Sequence, residues 1–215
     1  KKMTHNIRRL TTAFLTMLLT AGVTLGTGCA SDSYAAKGAA QGGTSGAVAG
    51  ALGGMVTALV FGGDIAEAGA RGAVYGGTTG AVVGGMSGAQ ADKAVAAQEQ
   101  AARDAELERF KAEIGTDAFN GVVALAECKH DIAIANAREA AKSNKPDYAL
   151  AGVWVEALTE ADRQREQEAR ALLPDIVERD RDIKTKAEAE ARMYEALDGL
   201  RDIRVEYNLP VNCSS

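Results

Sequence analysis

The chain has 215 residues, 24 of them glycine, and carries 24 Lys/Arg, 29 Asp/Glu and two histidines, for a net charge of −5 at pH 7. Residues 1–91 hold six basic and three acidic side chains, whereas residues 92–215 hold 18 basic and 26 acidic ones. An acidic half of this kind excludes a nucleic-acid surface, which needs a basic stripe. With one histidine outside the N-terminal leader, no Ser–His–Asp set is read, and no glycine run ends in the Lys-Ser/Thr of a phosphate-cradling loop. The expectation is therefore no enzyme, no cofactor and no resident metal.

Residues 1–28 read as a secretory leader. Lys1, Lys2, Arg8 and Arg9 make a basic start, and Leu10 to Leu25 an apolar run that closes on small residues. The run Leu25-Gly26-Thr27-Gly28-Cys29-Ala30 is similar to the bacterial lipobox, with Gly26 where Leu usually stands. That resemblance implies cleavage before Cys29 and acylation of its new N-terminus, palmitate among the acyl chains. The alternative is ordinary leader cleavage with Cys29 a free thiol. Ala30 in place of Asp implies the outer membrane under the enterobacterial sorting rule. Residues 29–37 then form a lipid-anchored tether.

Residues 38–91 are organised by a duplicated glycine pattern. Gly38, Gly42, Gly46, Gly50 and Gly54 recur every fourth residue, as do Gly72, Gly76, Gly80, Gly84 and Gly88. Aligned at an offset of 34, the 17-residue segments starting at Gly38 and Gly72 agree at 10 positions, which marks an internal repeat. Residues four apart share one helix face. Each copy thus predicts a helix with a side-chain-free groove, although each interior glycine costs about 1 kcal/mol against alanine. In lipid, such small-residue faces let helix backbones approach closely. Residues 38–63 and 72–91 are uncharged, and about 20 residues suffice to span a hydrocarbon core. Gly62-Gly63 predicts a helix stop, and Asp64 with Glu67 a capped restart. The expected structure is a membrane helical hairpin. A flexible glycine-rich linker, or a zipper packed on protein outside the bilayer, is the competing reading, and the strict spacing counts against the linker.

The repeated G-A-x-x-G-G-T-x-G-A-V-x-G units resemble the glycine-zipper two-transmembrane family of bacterial envelope lipoproteins, of the surface-antigen type. The resemblance covers residues 38–88. It implies an envelope protein with a structural or integrity role and no chemistry in the zipper.

Residues 92–215 read as a soluble acidic helical domain, so the fold class is all-α: a glycine-zipper hairpin followed by a small bundle. Helices are predicted over about 90–114, 117–142, 147–163, 168–180 (interrupted or begun at Pro174) and 183–207. The second carries Phe119, Val122, Val123, Leu125, Ala126, Ile132 and Ile134. The last sets Ala187, Ala191, Tyr194, Leu197, Leu200, Ile203 and Tyr207 on one stripe. Residues 147–181, with Trp154, Ala161, Ala169 and Leu173, are weakly tetratricopeptide-like. Cys128 and Cys213 are an even pair in an exported chain and predict a disulfide, two free or buried thiols being the alternative. A metal at Cys128-Lys129-His130 is not expected, because helix positions two apart point to different faces. His130 is then a surface residue, and the acid pair Glu188 and Glu190 belongs to solvated, salt-bridged faces. Tyr148 and Trp154 are core by default, or mark a partner groove if exposed.

These readings favour an outer-membrane lipoprotein with a structural or scaffolding role, assembling as a homo-oligomer through the zipper. Its partner is membrane lipid, through the acyl anchor and the hairpin, and no nucleic acid is involved. The second reading is a membrane-tethered helical binding module that recruits another envelope protein. A pore-forming oligomer is the third.

Overall fold

The computed structural model describes residues 34–77 and 89–213. The leader, Cys29, Gly80, Gly84 and Gly88 lie outside the described residues. Within them the chain is all-α, with eight helices and no strand.

Helix α1, Tyr34–Phe61, carries Gly38, Gly42, Gly46, Gly50 and Gly54. It stops at Gly62 and Gly63, whose φ values of 77° and 130° are left-handed backbone that glycine adopts without strain. Asp64 then caps α2, Ile65–Gly77, by accepting the Glu67 amide at 2.7 Å. The helices return antiparallel with almost nothing between their backbones. A Cβ added to Gly54 would stand 2.2 Å from the Ala68 carbonyl oxygen, and one on Gly72 would stand 2.0 Å from that of Gly50. Both pairs are centred on position 61, so the two glycine faces meet each other.

The second half of α1 is enclosed by protein as far as Val60. From Ala47 to Val60 every described side chain is buried except that of Thr57, which is partly so. The Phe110 ring of α3, Ala89–Ile114, lies on Gly53, where a Cβ would meet it at 2.7 Å. Thr57 Oγ1 donates to Glu113 of the same helix at 3.4 Å. On another side, Met55 and Ile65 lie against Gly199 of α8, Lys186–Glu206. Arg192 of α8 donates to the Ala58 and Gly63 carbonyls at 3.1 and 2.9 Å, and so ties down the end of the hairpin. Hairpin and C-terminal helices share one hydrophobic core, and residues 37–215 make up one compact unit. Residues 1–36 are a second unit, described only over the first turn of α1. The change of composition near residue 91 is thus a boundary of charge and not of packing.

After α3, Gly115 turns the chain at φ 87°, and the Tyr148 ring packs on it so closely that a Cβ there would lie 2.8 Å away. The predicted helix over 117–142 is two helices, α4 (Thr116–Ala126) and α5 (His130–Ala141). They part at Cys128, which is left-handed at φ 58°. The amides of Cys128 and Lys129 turn back to the carbonyls of Leu125 and Ala124 and close the end of α4. This break leaves Ile132 exposed, whereas Ile134 is buried.

Helix α6, Pro146–Asp162, starts on a proline at its first position, where no amide is needed. It runs antiparallel to α5: Arg138 pairs with Glu156 at 2.7 Å and Asp131 with Arg163 at 3.0 Å. Gly152 permits this approach, since a Cβ would stand 2.4 Å from the Ala141 amide nitrogen. Helix α7, Glu166–Arg179, passes through Pro174 without stopping. Pro174 is exposed, so the backbone acceptor it releases is within reach of water. Thr185 and Glu188 close α8 with a reciprocal capping box. The buried stripe of α8 is Ala189, Met193, Ala196, Leu200 and Ile203, with Arg204 beside it. The predicted Ala187, Ala191 and Tyr194 face solvent, and Ala189 and Met193 take the buried positions along the first half of the helix.

Candidate functional site

Where α4, α5, α6, α8 and the C-terminal tail meet, five polar side chains converge. Asp162 ends α6 and accepts a forked pair of hydrogen bonds from Arg204, Nη1 to Oδ1 at 2.7 Å and Nη2 to Oδ2 at 2.8 Å. Arg204 is 2% exposed. Its Nε and Nη2 also donate to the Ala126 and Leu125 carbonyls at 3.2 and 2.6 Å, which satisfies the open C-terminal end of α4. The guanidinium therefore leaves little donor capacity unspent, as a charge this deep requires.

His130 opens α5 and is buried, its Nε2 lying 2.8 Å from Asp162 Oδ2. The expectation of a surface histidine is corrected here. It assumed an unbroken helix through Cys128, and the left-handed turn instead swings residue 130 toward the end of α6. Cys213 follows the turn at Asn208 and Leu209-Pro210 and is bonded to Cys128, a link across 85 residues. The Cys213 Sγ stands 3.4 Å from Asp162 Oδ2. His130, Asp162 and Cys213 thus bring a ring nitrogen, a carboxylate oxygen and a sulfur within 4.8 Å of one another.

Burial by itself would raise the pKa of Asp162. The hydrogen bonds from Arg204 and then His130, with their charges, outweigh it and hold the carboxyl below its ordinary range. Asp162 therefore stays ionised and serves as the hub of the cluster. Neither Asp162 nor Arg204 was singled out from sequence. The available signal was a charged residue immediately after Ile203 on an otherwise apolar stripe.

The other sequence candidates are placed as follows. Trp154 is fully buried and lines no exposed groove; its indole N–H has no partner among the described residues, so ring packing sets its position. Tyr148 is half-buried and committed within the chain, donating to the Ala112 carbonyl at 2.7 Å with Lys145 Nζ 4.3 Å over its ring. The proposed pair therefore does not form a groove. Glu188 caps α8, and Glu190 pairs with Arg170 at 2.7 Å. Concave surface lies instead beside the hairpin turn. A cleft of about 520 Å³ is lined by Leu59, Gly63, Asp180, Asp182, Ile183 and Arg192, and one of about 490 Å³ by Thr57, Asp64, Glu67, Arg71, Arg109 and Phe110 among others.

Searches for similar proteins find no matching family model, no matching curated protein and no matching solved structure.

Proposed function

We propose that the chain is an envelope lipoprotein, held at a bacterial membrane by acyl chains on Cys29, whose helical unit recruits another envelope protein. The work is binding, not catalysis, and the clefts flanking the Gly62-Gly63 turn are where a partner docks. One observation carries this reading. The stretch Ala47–Val60, which the sequence alone assigns to lipid, is enclosed by α2, α3 and α8 of the same chain. Among the described side chains, those of α1 from Ala47 to Val60 leave no apolar face free for a bilayer. Among the described residues no helix is long and apolar enough to cross a membrane.

The competing reading keeps the hairpin as a membrane element that scaffolds through zipper oligomers. Its support is the continuation of the four-residue glycine pattern to Gly38 and Gly88, beyond the Gly50–Gly72 contact. One experiment divides the two. Residues 30–215 are fused to an ordinary cleavable secretory signal, and membranes are extracted at alkaline pH. Release into the soluble fraction is the outcome expected of a tethered module. Retention in the pellet overturns it in favour of an integral hairpin.

A further inference from the structure

We propose that Cys128, His130, Asp162 and Cys213 form a site for a borderline divalent ion of the Zn²⁺ type, occupied when the disulfide is reduced and closed when it is formed. Three of the four donors already converge to within 4.8 Å, and the fourth, Cys128 Sγ, is bonded to one of them. Two thiolates, an imidazole and a carboxylate make a four-ligand set of the kind that tetrahedral zinc takes. Metal–ligand bonds of about 2.0–2.3 Å place the ligand atoms of such a site nearer together than the present span. The donors therefore have a short distance left to close, of the size that side-chain rotation supplies, while the two sulfurs separate as any reduced pair does.

The surroundings suit the ion. Three anionic donors are balanced by one divalent cation and the guanidinium of Arg204. Arg204 grips Asp162 through Oδ1 as well as Oδ2 and is itself held by two carbonyls. Releasing Oδ2 to the metal leaves the Oδ1 bond as the outer-sphere contact that orients a ligating carboxylate. Three of the four donors also sit on firm ground, at the last residue of α6, the first of α5, and the turn between α4 and α5, and Cys213 reaches them from the tail. The same turn defeats the objection that residues 128 and 130 point apart, which holds only inside a continuous helix.

The chemistry balances. A dithiol reductant delivers two electrons and two protons to the Cys128–Cys213 bond and is left as its own disulfide. The ion then displaces both thiol protons. The imidazole binds through Nε2 with its proton on Nδ1, so His130 ligates as the neutral ring. In the return step a disulfide oxidant takes two electrons from the two thiolates and is left as a dithiol, which expels the ion and restores the Cys128–Cys213 bond.

The test uses the full chain in a Cys29→Ser background, titrated with Co²⁺ alone, in oxidised form and after anaerobic dithiol reduction. The reduced chain is expected to take up one Co²⁺ with thiolate charge-transfer and tetrahedral ligand-field absorption, and the oxidised chain none. His130→Gln, which keeps both cysteines, is expected to weaken uptake by about tenfold or more. Circular dichroism is followed in the same samples. The proposal is overturned by a reduced chain that takes up no Co²⁺, by a complex that forms only on an unfolded chain, or by equal affinity in His130→Gln and its parent.

Discussion

The hairpin seam and the Asp162 cluster each join distant parts of this chain, and they do so by opposite means. At the seam, polar side chains are absent: Gly50, Gly54, Gly72 and Ala68 bring backbone against backbone, and the gain is dispersion contact at the closest approach helices allow. At the cluster, side chains do all the joining. A buried forked ion pair, a histidine and a disulfide tie α4, α5, α6, α8 and the tail together. The first kind of junction tolerates no added volume but is indifferent to pH and redox state. The second responds to both. The difference lies in whether the joined groups have chemistry that a solvent change can reach.

The largest effect is expected at the seam. Gly72→Leu places a side chain where a Cβ alone would lie 2.0 Å from the Gly50 carbonyl oxygen, and neither backbone can yield while α1 is enclosed on its other sides. A loss of about 5 kcal/mol in denaturant unfolding is expected, with separation of the hairpin from the helices. A loss under about 1 kcal/mol would mean that the helices do not meet along this face.

At the cluster, Cys213→Ser is expected to cost about 4–5 kcal/mol on chain-entropy grounds for a link across 85 residues. Comparing unfolding midpoints with and without a dithiol checks the same quantity, since the reductant should leave the variant unmoved.

Asp162→Ala leaves the Arg204 guanidinium buried and uncompensated, with an expected loss of about 3–5 kcal/mol. The linked pH dependence has a definite sign. The folded carboxyl titrates below its unfolded value, so its stabilising contribution is complete above about pH 5 and fades as pH falls below the ordinary carboxylate pKa of about 3.9. Acid unfolding of Asp162→Asn should lack this component, whereas Gly72→Leu should retain whatever acid dependence its folded fraction has. Equal acid slopes in wild type and Asp162→Asn would remove Asp162 from its place as hub.

The smallest effect has the opposite sign and makes the sharpest comparison. Gly69 follows the tight contact at Ala68 and precedes that at Gly72 by three residues, yet a Cβ there would sit 3.6 Å from the Ala51 carbonyl oxygen, an ordinary contact. Gly69→Ala should therefore stabilise by about 0.5–1 kcal/mol through helix propensity and a restricted unfolded chain. Destabilisation would show that the seam extends across the whole small-residue face.

Much of the molecule was readable from its residues. Helices follow from apolar periodicity, Gly62-Gly63 stops the first, and Asp64 with Glu67 starts the next; each of these signals is local. Signals failed where a local rule met a tertiary partner. Cys128 ends α4 in a left-handed turn that no propensity marks. On α8 the buried position is Met193 and not the predicted Tyr194, because the surfaces the helix packs on, and not its own period, choose which stripe is covered. Asp162 and Arg204 looked like two more solvated charges among many, because their pairing spans 42 residues and only burial distinguishes it.

Sequence by itself determined that this chain is helical, that residues 38–88 carry a duplicated four-residue glycine period, and that two cysteines stand outside the leader beyond Cys29. It could not say what fills the glycine groove. A face without side chains packs equally well on lipid-embedded helices or on protein, because both offer close dispersion contact. Only the tertiary structure decided the matter for Gly50, Gly54 and Gly72: the returning helix fills the groove, and Phe110 of α3 with Gly199 and Arg192 of α8 pack on other sides of α1.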